Sequence, residues 1–130
     1  VEVKKQKMKL KKISNYFLGL GVEFLASLFL RIKGYQIICR RFRSHNGEID
    51  LIALDGLTIV FIEVKYRSQK ESALESLSQT QQRRIFRASQ DFFIMCAHMR
   101  NRTYRYDFLV FSQFYFQHFR NAWQIDEFVT

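Results

Sequence analysis

Apolar residues between about Asn15 and Lys33 fall on nearly every side of a helix, which predicts a first helix that is buried on more than one face. Ser14 or Asn15 is expected to cap its start, and Gly34 suits the left-handed residue that ends a helix. The expected main stripe consists of Phe17, Phe24, Leu25, Leu28, Phe29 and Ile32, with Leu20, Ala26 and Leu30 on the side of Glu23. Glu23 is therefore expected to face the protein interior or a ligand.

Runs rich in β-branched and aromatic residues follow, and they predict strands. The four runs are Tyr35–Arg43, Glu48–Leu54, Thr58–Tyr66 and Tyr104–Phe111. Ser78 and Gln81 have the spacing of a capping box, which opens a second helix that runs to about His98. Its apolar face carries Ile85, Ala88, Phe92, Met95 and Met99. Residues 68–79 are expected to form a loop, and residues 114–128 a short helix or loop, with a last strand as the alternative.

This order of elements, α-β-β-β-α-β, places the chain in the α/β class. Both faces of Thr58–Tyr66 carry apolar residues, which is typical of a strand covered on both sides. We expect a mixed sheet of four to five strands flanked by helices. At 130 residues the chain is expected to hold one domain, residues 14–130, after a basic tail at residues 1–13.

The turn between the second and third strands fixes a register. Asp55-Gly56 is a strong signal for a two-residue hairpin turn. If Leu54 and Leu57 flank the turn, the register pairs Ala53 with Thr58, Asp50 with Phe61 and Glu48 with Glu63. Because side chains alternate, one face then carries Glu48, Asp50, Phe61, Glu63 and Lys65, and the core face carries Ile49, Leu51, Ala53, Val60, Ile62 and Val64. Asp50 and Glu63 become diagonal neighbours, and their backbones are then about 7–8 Å apart across the two strands.

Two carboxylates at this spacing can converge on one divalent cation. Mg²⁺ binds through one or two carboxylates and keeps several waters for a substrate phosphate, so we predict Asp50 and Glu63 as ligands of Mg²⁺ or Mn²⁺. Lys65 would orient the attacking water or stabilise the charge that develops on the phosphate. The structural alternative is a salt-bridge network in which Lys65 and arginines neutralise the acids. His45 and His98 have no partner at ligand spacing and are expected at the surface or in a turn.

The charge balance points to a polyanionic partner. Lysine and arginine outnumber aspartate and glutamate by 21 to 12, which gives a formal charge of +9. Nucleic acid and an anionic membrane surface both fit this sign, and the plain alternative is a solvated basic surface. The arginines expected to contact backbone phosphates are Arg40, Arg41, Arg43, Arg67, Arg83, Arg84 and Arg87.

The start of the chain imitates a signal peptide, because lysines precede the apolar run Tyr16–Leu30. Glu23 interrupts this run, which is also shorter than the roughly 20 residues that span a bilayer. We therefore expect a folded helix and no membrane partner. Cys39 and Cys96 lie far apart in apolar runs without metal-ligand spacing, which predicts small core residues in a reducing cytoplasm.

Several of these segments together resemble the YraN-like family of bacterial endonuclease-fold proteins. The matching segments are Gly19-x-x-x-Glu23-x-x-Ala26-x-x-Phe29-Leu30-x-x-x-Gly34-Tyr35, Gly47-Glu48-Ile49-Asp50-Leu51-Ile52-Ala53, Phe61-Ile62-Glu63-Val64-Lys65-x-Arg67, Arg83-Arg84-Ile85, Arg105-Tyr106-Asp107 and Asn121-Ala122-Trp123. The likeness covers about residues 19–123, and the Gly-Glu-Ile-Asp block is specific in combination with Glu-Val-Lys.

That family looks like a branch of the PD-(D/E)xK nuclease superfamily, related in fold to archaeal Holliday-junction resolvases. The resemblance therefore implies a restriction-endonuclease-like core. It implies Asp50 and Glu63 as metal ligands and Lys65 as the catalytic lysine. It adds Glu23, from the first helix, as a further catalytic and metal-binding acid.

Two residues are auxiliary candidates. Glu48 corresponds to an extra acid of the family. Gln81 stands near the start of the second helix, where the family usually has a lysine, and it can hydrogen-bond a phosphate or water without bringing charge. The chain also lacks a glycine that the family often has between residues 68 and 79.

The sequence thus predicts a Mg²⁺- or Mn²⁺-dependent endonuclease of the cytoplasm that acts on DNA, with branched or damaged structures as candidate substrates. A homodimer would suit two-strand cleavage. One alternative is a nucleic-acid-binding module that keeps the fold without the chemistry. A weaker alternative is a protein that binds a membrane surface through its lysine tail and first helix.

Overall fold

A computed structural model describes residues 21–67, 77–112 and 116–124 of the chain. Its helices are α1, at residues 21–32, and α2 (Gln79–Met95), followed by a 3-10 helix at Ala97–Met99. Its strands are β1 (Gln36–Ser44), β2 (Gly47–Asp55), β3 (Thr58–Tyr66), β4 (Tyr104–Phe111) and β5 (Phe116–Trp123). The expected tail, the start of the first helix and most of the predicted loop before α2 lie outside the described ranges.

The described strands form one sheet in the order β1-β2-β3-β4-β5. Neighbours are antiparallel except β3 and β4, which are parallel and are connected through α2. A parallel pair needs such a crossover. The predicted mixed α/β fold is therefore confirmed. The fifth strand, Phe116–Trp123, settles the segment for which the sequence left helix, loop and strand open.

The sheet separates two hydrophobic cores, and β3 contributes to both. The α1-side core contains Val22, Ala26, Leu30, Tyr35, Leu51, Ala53, Val60, Ile62, Leu109 and Phe111. The α2-side core contains Phe42, Ile49, Ile52, Ile59, Phe61, Leu77, Ile85, Ala88, Phe92, Phe93, Tyr106, Phe108, Val110 and Trp123. Cys39 and Cys96 are free thiols that lie half-buried against the α2-side core, as expected of small core residues.

The buried face of α1 differs from the predicted one. Ala26 and Leu30 are fully buried, whereas the predicted stripe is exposed at Ile32 (85%) and Phe24 (55%). Phe29 is the described member of that stripe that packs against the α1-side core. The prediction was wrong because a helix that is apolar on nearly all sides offers little contrast between its faces. None of the described helices combines the length and apolarity needed to cross a bilayer.

The β2–β3 turn also differs from the prediction. Asp55 pairs with Thr58, so the turn consists of Gly56 and Leu57 rather than Asp55 and Gly56. Gly56 has a φ of 62° and takes the first central position, where type II′ turns need glycine. The Asp-Gly signal therefore located the hairpin correctly but misplaced its turn.

The misplaced turn shifts the predicted register by two residues, so Ala53 pairs with Val60. Because side chains alternate with a period of two, the shift leaves Glu63 on its predicted face. Continuing the observed register sets Asp50 directly across from Glu63 rather than diagonally. Ile49 is an exception to alternation, because it belongs to the α2-side core while Leu51 belongs to the α1-side core. The strand therefore rotates at Asp50.

The predicted capping box opens α2. Ser78 Oγ accepts a hydrogen bond from the Gln81 backbone N–H at 3.2 Å, and Gln81 Oε1 accepts one from the Ser78 N–H at 3.2 Å. The helix ends at Met95 rather than near His98, because Cys96 leaves the helical region with a ψ of 66°.

Candidate functional site

Asp50 lies at an irregular point of the sheet. The pairs on either side set it across from Arg41, whose φ of 51° is left-handed and uncommon for a residue with a side chain. The β2–β3 pairing stops at Leu51 and Ile62, and beyond it Asp50 Oδ2 accepts a hydrogen bond from the Val64 N–H at 2.8 Å. A side chain thus replaces a main-chain partner of β3 and fixes the carboxylate where the strands separate.

Asp50 and Glu63 form an interacting carboxyl pair, and each contributes to the pKa shift of the other. Burial raises the pKa of Asp50 to about 6, against the hydrogen bond from Val64. Burial and the charge of Asp50 raise the pKa of Glu63 to about 8, against the charge of Lys65. Two carboxyls this close cannot both ionise cheaply, so at neutral pH the pair retains a proton when no cation is bound.

Lys65 projects from β3 on the same side as Glu63 and reaches the start of α2. Its Nζ donates a hydrogen bond to Gln81 Oε1 at 3.1 Å. Burial lowers the pKa of Lys65, and the charge of Arg67 acts in the same direction while Glu63 opposes it. Gln81, which completes the capping box of α2, therefore also positions the ammonium group of Lys65.

The other two predicted acids flank this pair but contact arginines. Glu23 Oε2 accepts a hydrogen bond from Arg41 Nε at 2.7 Å, and the ion pair is partly buried. Glu48 pairs with Arg43 Nε at 3.4 Å and is more exposed. Both acids raise the pKa of Asp50, so both lie within electrostatic reach of it. Across the three described ranges, no three His, Cys, Asp or Glu side chains are grouped so that they could hold a metal ion.

The donor set of Asp50 and Glu63 nevertheless suits Mg²⁺ or Mn²⁺. Carboxylate oxygens are the ligands these ions prefer, and Mg²⁺ commonly takes one or two of them and fills its remaining positions with water and substrate phosphate. A carboxyl pair that shares a proton can exchange it for a cation. Glu23 would have to leave Arg41 to serve as a third ligand.

Two of the predicted arginines line a cleft on the α1 side of the site. Arg40 and Arg41 border a space of about 270 Å³ together with Glu23, Phe24 and Leu51. Because Asp50 immediately precedes Leu51, this cleft adjoins the carboxyl pair. Positive charge beside an acidic pair is the arrangement that a phosphate approaching a metal site requires.

The remaining arginines lie on the α2 side and at strand ends. Arg83, Arg84 and Arg87 are exposed on the outer face of α2. Arg84 also lies against the β1–β2 turn, because its carbonyl oxygen would be 3.4 Å from a Cβ at Gly47. Arg67 follows β3 and is close enough to Lys65 to lower its pKa.

A second polar cluster, which the sequence did not predict, lies on the α1 side of the sheet. The fully buried Asp107 accepts hydrogen bonds from Arg105 Nε at 3.0 Å and from the Asn121 N–H at 2.9 Å, and its Oδ2 lies 2.8 Å from His118 Nε2. Burial alone would raise the pKa of Asp107, but these partners outweigh it and lower the pKa. The cluster joins β4 to β5 and is structural. The Arg105-Tyr106-Asp107 segment was its one sequence signal.

The histidines considered as metal ligands lie elsewhere. His45 is exposed in the β1–β2 turn, and His98 is exposed in the 3-10 helix. The predicted surface and turn positions are confirmed for both.

Comparison with known proteins places the chain in a family. A profile described as "Uncharacterised protein family UPF0102" matches residues 22–111, which include all four predicted catalytic residues. A UPF0102 protein of Parvibaculum lavamentivorans is 36% identical over 86% of this chain and 85% of its own length. One of Photorhabdus laumondii is 32% identical over 93% of this chain and 98% of its own length. The chain belongs to the UPF0102 family.

Proposed function

We propose that this UPF0102 protein is a metal-dependent endonuclease that acts on DNA, with branched or damaged structures as the preferred substrates. The observation that carries the proposal is the Asp50–Glu63 pair, held across two strands beside Lys65. Two carboxyls that retain a proton are costly as a purely structural feature, because burial penalises their charge. They become favourable once a divalent cation replaces the proton.

Each residue has a distinct part in this proposal. Asp50 and Glu63 would hold Mg²⁺ or Mn²⁺, which lowers the pKa of a bound water and screens the phosphate charge. In its charged form Lys65 would stabilise the developing negative charge, and its lowered pKa increases the fraction of neutral amine that could instead take a proton from the attacking water. Glu23 is the third proposed ligand, available when a substrate phosphate takes its place at Arg41.

The fold supports this proposal. The described order α-β-β-β-α-β-β begins with the expected α-β-β-β-α-β, and it carries the acids on β2 and β3 and the lysine two residues after Glu63, as the PD-(D/E)xK resemblance implies. The exposed arginines of α2 and the cleft at Arg40 offer phosphate contacts on either side of the pair. A cytoplasmic setting fits the free thiols, and a homodimer would place two such sites for two-strand cleavage.

Cleavage of supercoiled plasmid and of a four-way junction, with Mg²⁺ or Mn²⁺, tests the proposal. Wild type is expected to cut, whereas Asp50→Ala should fall to the no-enzyme background. Asp91→Ala is the control, because Asp91 lies on α2 and hydrogen-bonds Asn46 outside the site. Equal background in wild type and Asp50→Ala would remove the catalytic claim.

One observation favours a second function, a nucleic-acid-binding module without chemistry. Glu23 is paired with Arg41, and the described residues offer two convergent carboxylates rather than three. Calorimetric titration with Mn²⁺ separates the two functions. Heat that disappears in Asp50→Ala supports the enzyme, and no heat in wild type supports the binding module.

A further inference from the structure

A second cleft, which we call the aromatic cleft, opens between α2 and the β4–β5 edge of the sheet. Its volume is about 250 Å³, and it is lined by Phe86, Tyr104, Arg105, Tyr106, Asn121, Trp123 and Gln124. Four of these seven residues are aromatic, two carry amides and one is an arginine. A lining that mixes aromatic rings with polar groups suits a planar ligand that has both a stacking face and hydrogen-bonding atoms.

The walls of the aromatic cleft are held in place. Tyr106 and Trp123 face each other across β4 and β5, and their rings stack with centroids 5.3 Å apart at 20°. The Tyr106 hydroxyl lies 2.7 Å from Ser89 Oγ, which fixes that ring. Phe86, on α2, lies 6.5 Å from Tyr106 between ring centroids. A ligand would therefore meet a preformed surface and would order few side chains on binding.

Trp123 contributes to the lining of the aromatic cleft. Its indole Nε1 is buried and has no hydrogen-bond partner in the part of the chain that the structure describes. A nucleobase offers an aromatic face together with ring or carbonyl acceptors, so it matches both the aromatic rings and the amide groups that line the cleft.

The aromatic cleft lies within reach of a strand bound at Asp50 and Glu63. Tyr104 pairs with Ile59 on β3, and Glu63 lies four residues farther along the same strand, about 13 Å at 3.3 Å per residue. Both belong to the α2 side of the sheet. Phosphates along one strand of duplex DNA are about 3.4 Å apart along the axis, so the separation corresponds to a few nucleotides.

We propose that the aromatic cleft holds an unstacked nucleobase of the bound strand, a few nucleotides from the phosphate that is cleaved. The inference rests on the proposed function and names its substrate class. A base that must enter a cleft is accessible in single strands and at branch points, whereas an intact duplex must first unstack and unpair it.

Trp123 is the only tryptophan in the chain, so its fluorescence reports directly on the aromatic cleft. Metal-free protein in EDTA, which prevents cleavage, would be titrated with a single-stranded oligothymidylate, an abasic oligonucleotide of the same length, and a duplex. The single strand is expected to quench Trp123 emission, and the abasic strand and the duplex to leave it nearly unchanged. Equal responses to the abasic and the complete strand, or no response to either, would overturn the proposal.

A matched pair of variants provides a second readout. Tyr104 and Tyr66 are both 41% exposed, but Tyr66 projects from the opposite face of the sheet. Tyr104→Ala is expected to weaken single-strand binding about tenfold, the scale of one base–aromatic stack, while Tyr66→Ala leaves it unchanged. Equal affinities for the two variants would contradict the assignment.

The two proposals fail in different ways. Wild type that cuts DNA but shows no base-dependent quenching would remove the base site and keep the nuclease. Quenching that persists in Asp50→Ala, without cleavage by wild type, would keep the base site and remove the nuclease.

Discussion

Lys65 Nζ donates a hydrogen bond of 3.1 Å to Gln81 Oε1, so the first turn of α2 holds the ammonium group of Lys65 in the candidate site. The same amide oxygen accepts from the Ser78 N–H and completes the capping box. Gln81 therefore orients the lysine of the candidate site. Helix capping and site geometry are coupled through one side chain.

Separating these two roles gives the first prediction. Gln81→Ala removes the acceptor of Lys65 and should lower kcat at least tenfold with little change in KM. Ser78→Ala removes the cap but leaves the Lys65–Gln81 contact, and should cost about 1 kcal/mol of unfolding free energy with kcat unchanged. Single-turnover cleavage and urea denaturation measure the two quantities. Equal losses of kcat in both variants would reduce Gln81 to a capping residue.

The carboxyl pair predicts how stability depends on pH without metal. The folded-state pKa values of about 6 and 8 lie above the ordinary values of Asp50 and Glu63. Between pH 5 and 8 the folded protein thus binds more protons than the unfolded chain, so the free energy of unfolding falls as pH rises. The slope from one proton is at most about 1.4 kcal/mol per pH unit. Urea titrations in EDTA should show this fall in wild type and in Asp91→Asn, and a smaller one in Asp50→Asn. A flat wild-type profile would contradict the raised pKa values.

The stabilisation that Mn²⁺ gives to the folded protein should increase with pH, opposite to the trend without metal. A metal that replaces the shared proton binds more tightly as the pH rises and stabilises only the folded state. The increase in Tm on adding Mn²⁺ should therefore be larger at pH 8 than at pH 5.5, and should vanish in Glu63→Gln. An increase of the same size in Glu63→Gln would indicate that the ion binds elsewhere. Chelation with EDTA should return the Tm to its starting value.

DNA affinity should depend on the arginines of α2. Arg83→Ala is expected to weaken binding at every sequence and to reduce the slope of log K against log salt by about one, because one phosphate contact is lost. Arg100→Ala removes the same charge beyond the far end of α2, where its Nε donates to the Phe93 carbonyl, and should leave the slope unchanged. Filter binding across a range of salt concentrations distinguishes them. If the Arg83→Ala and Arg100→Ala proteins have equal salt slopes, then net charge alone, and not a contact from Arg83 to a phosphate, sets the salt dependence of DNA binding.

The buried cluster at Asp107 should matter for stability rather than for chemistry. Asp107→Ala leaves Arg105 and His118 without their buried acceptor and should cost about 3 kcal/mol or more of unfolding free energy. Cleavage per folded molecule should stay at the wild-type level. A loss of activity in fully folded Asp107→Ala would instead connect this cluster to the site.

Local rules predicted the elements well. The bounds of β3 and β4 and the Ser78 capping box follow from periodicity and capping chemistry, and the structure confirms them. Glu63 and Lys65 share a face because they lie two residues apart on β3, and that face is the predicted one relative to β2 because the error in the turn moved the register by an even number of residues. These features depend on neighbours in sequence, which is why the sequence reveals them.

Features that depend on distant contacts were not predictable. The buried face of α1 carries Val22, Ala26 and Leu30, and apolar residues on nearly every side of the helix concealed it. Glu23 is paired with Arg41 because β1 rotates at a left-handed residue, which no local rule predicts. β5 has as many polar as apolar residues, without regular alternation, so its pattern did not distinguish a strand from a loop.

Asp50 and Glu63 are proposed to form a divalent-metal site. A crystal structure of the protein soaked in Mn²⁺ at pH 8, with anomalous diffraction at the manganese edge, measures this most directly. We predict an anomalous peak between the two carboxylates, at coordination distance from an oxygen of each. A structure at saturating Mn²⁺ with no peak between the two carboxylates would contradict this assignment.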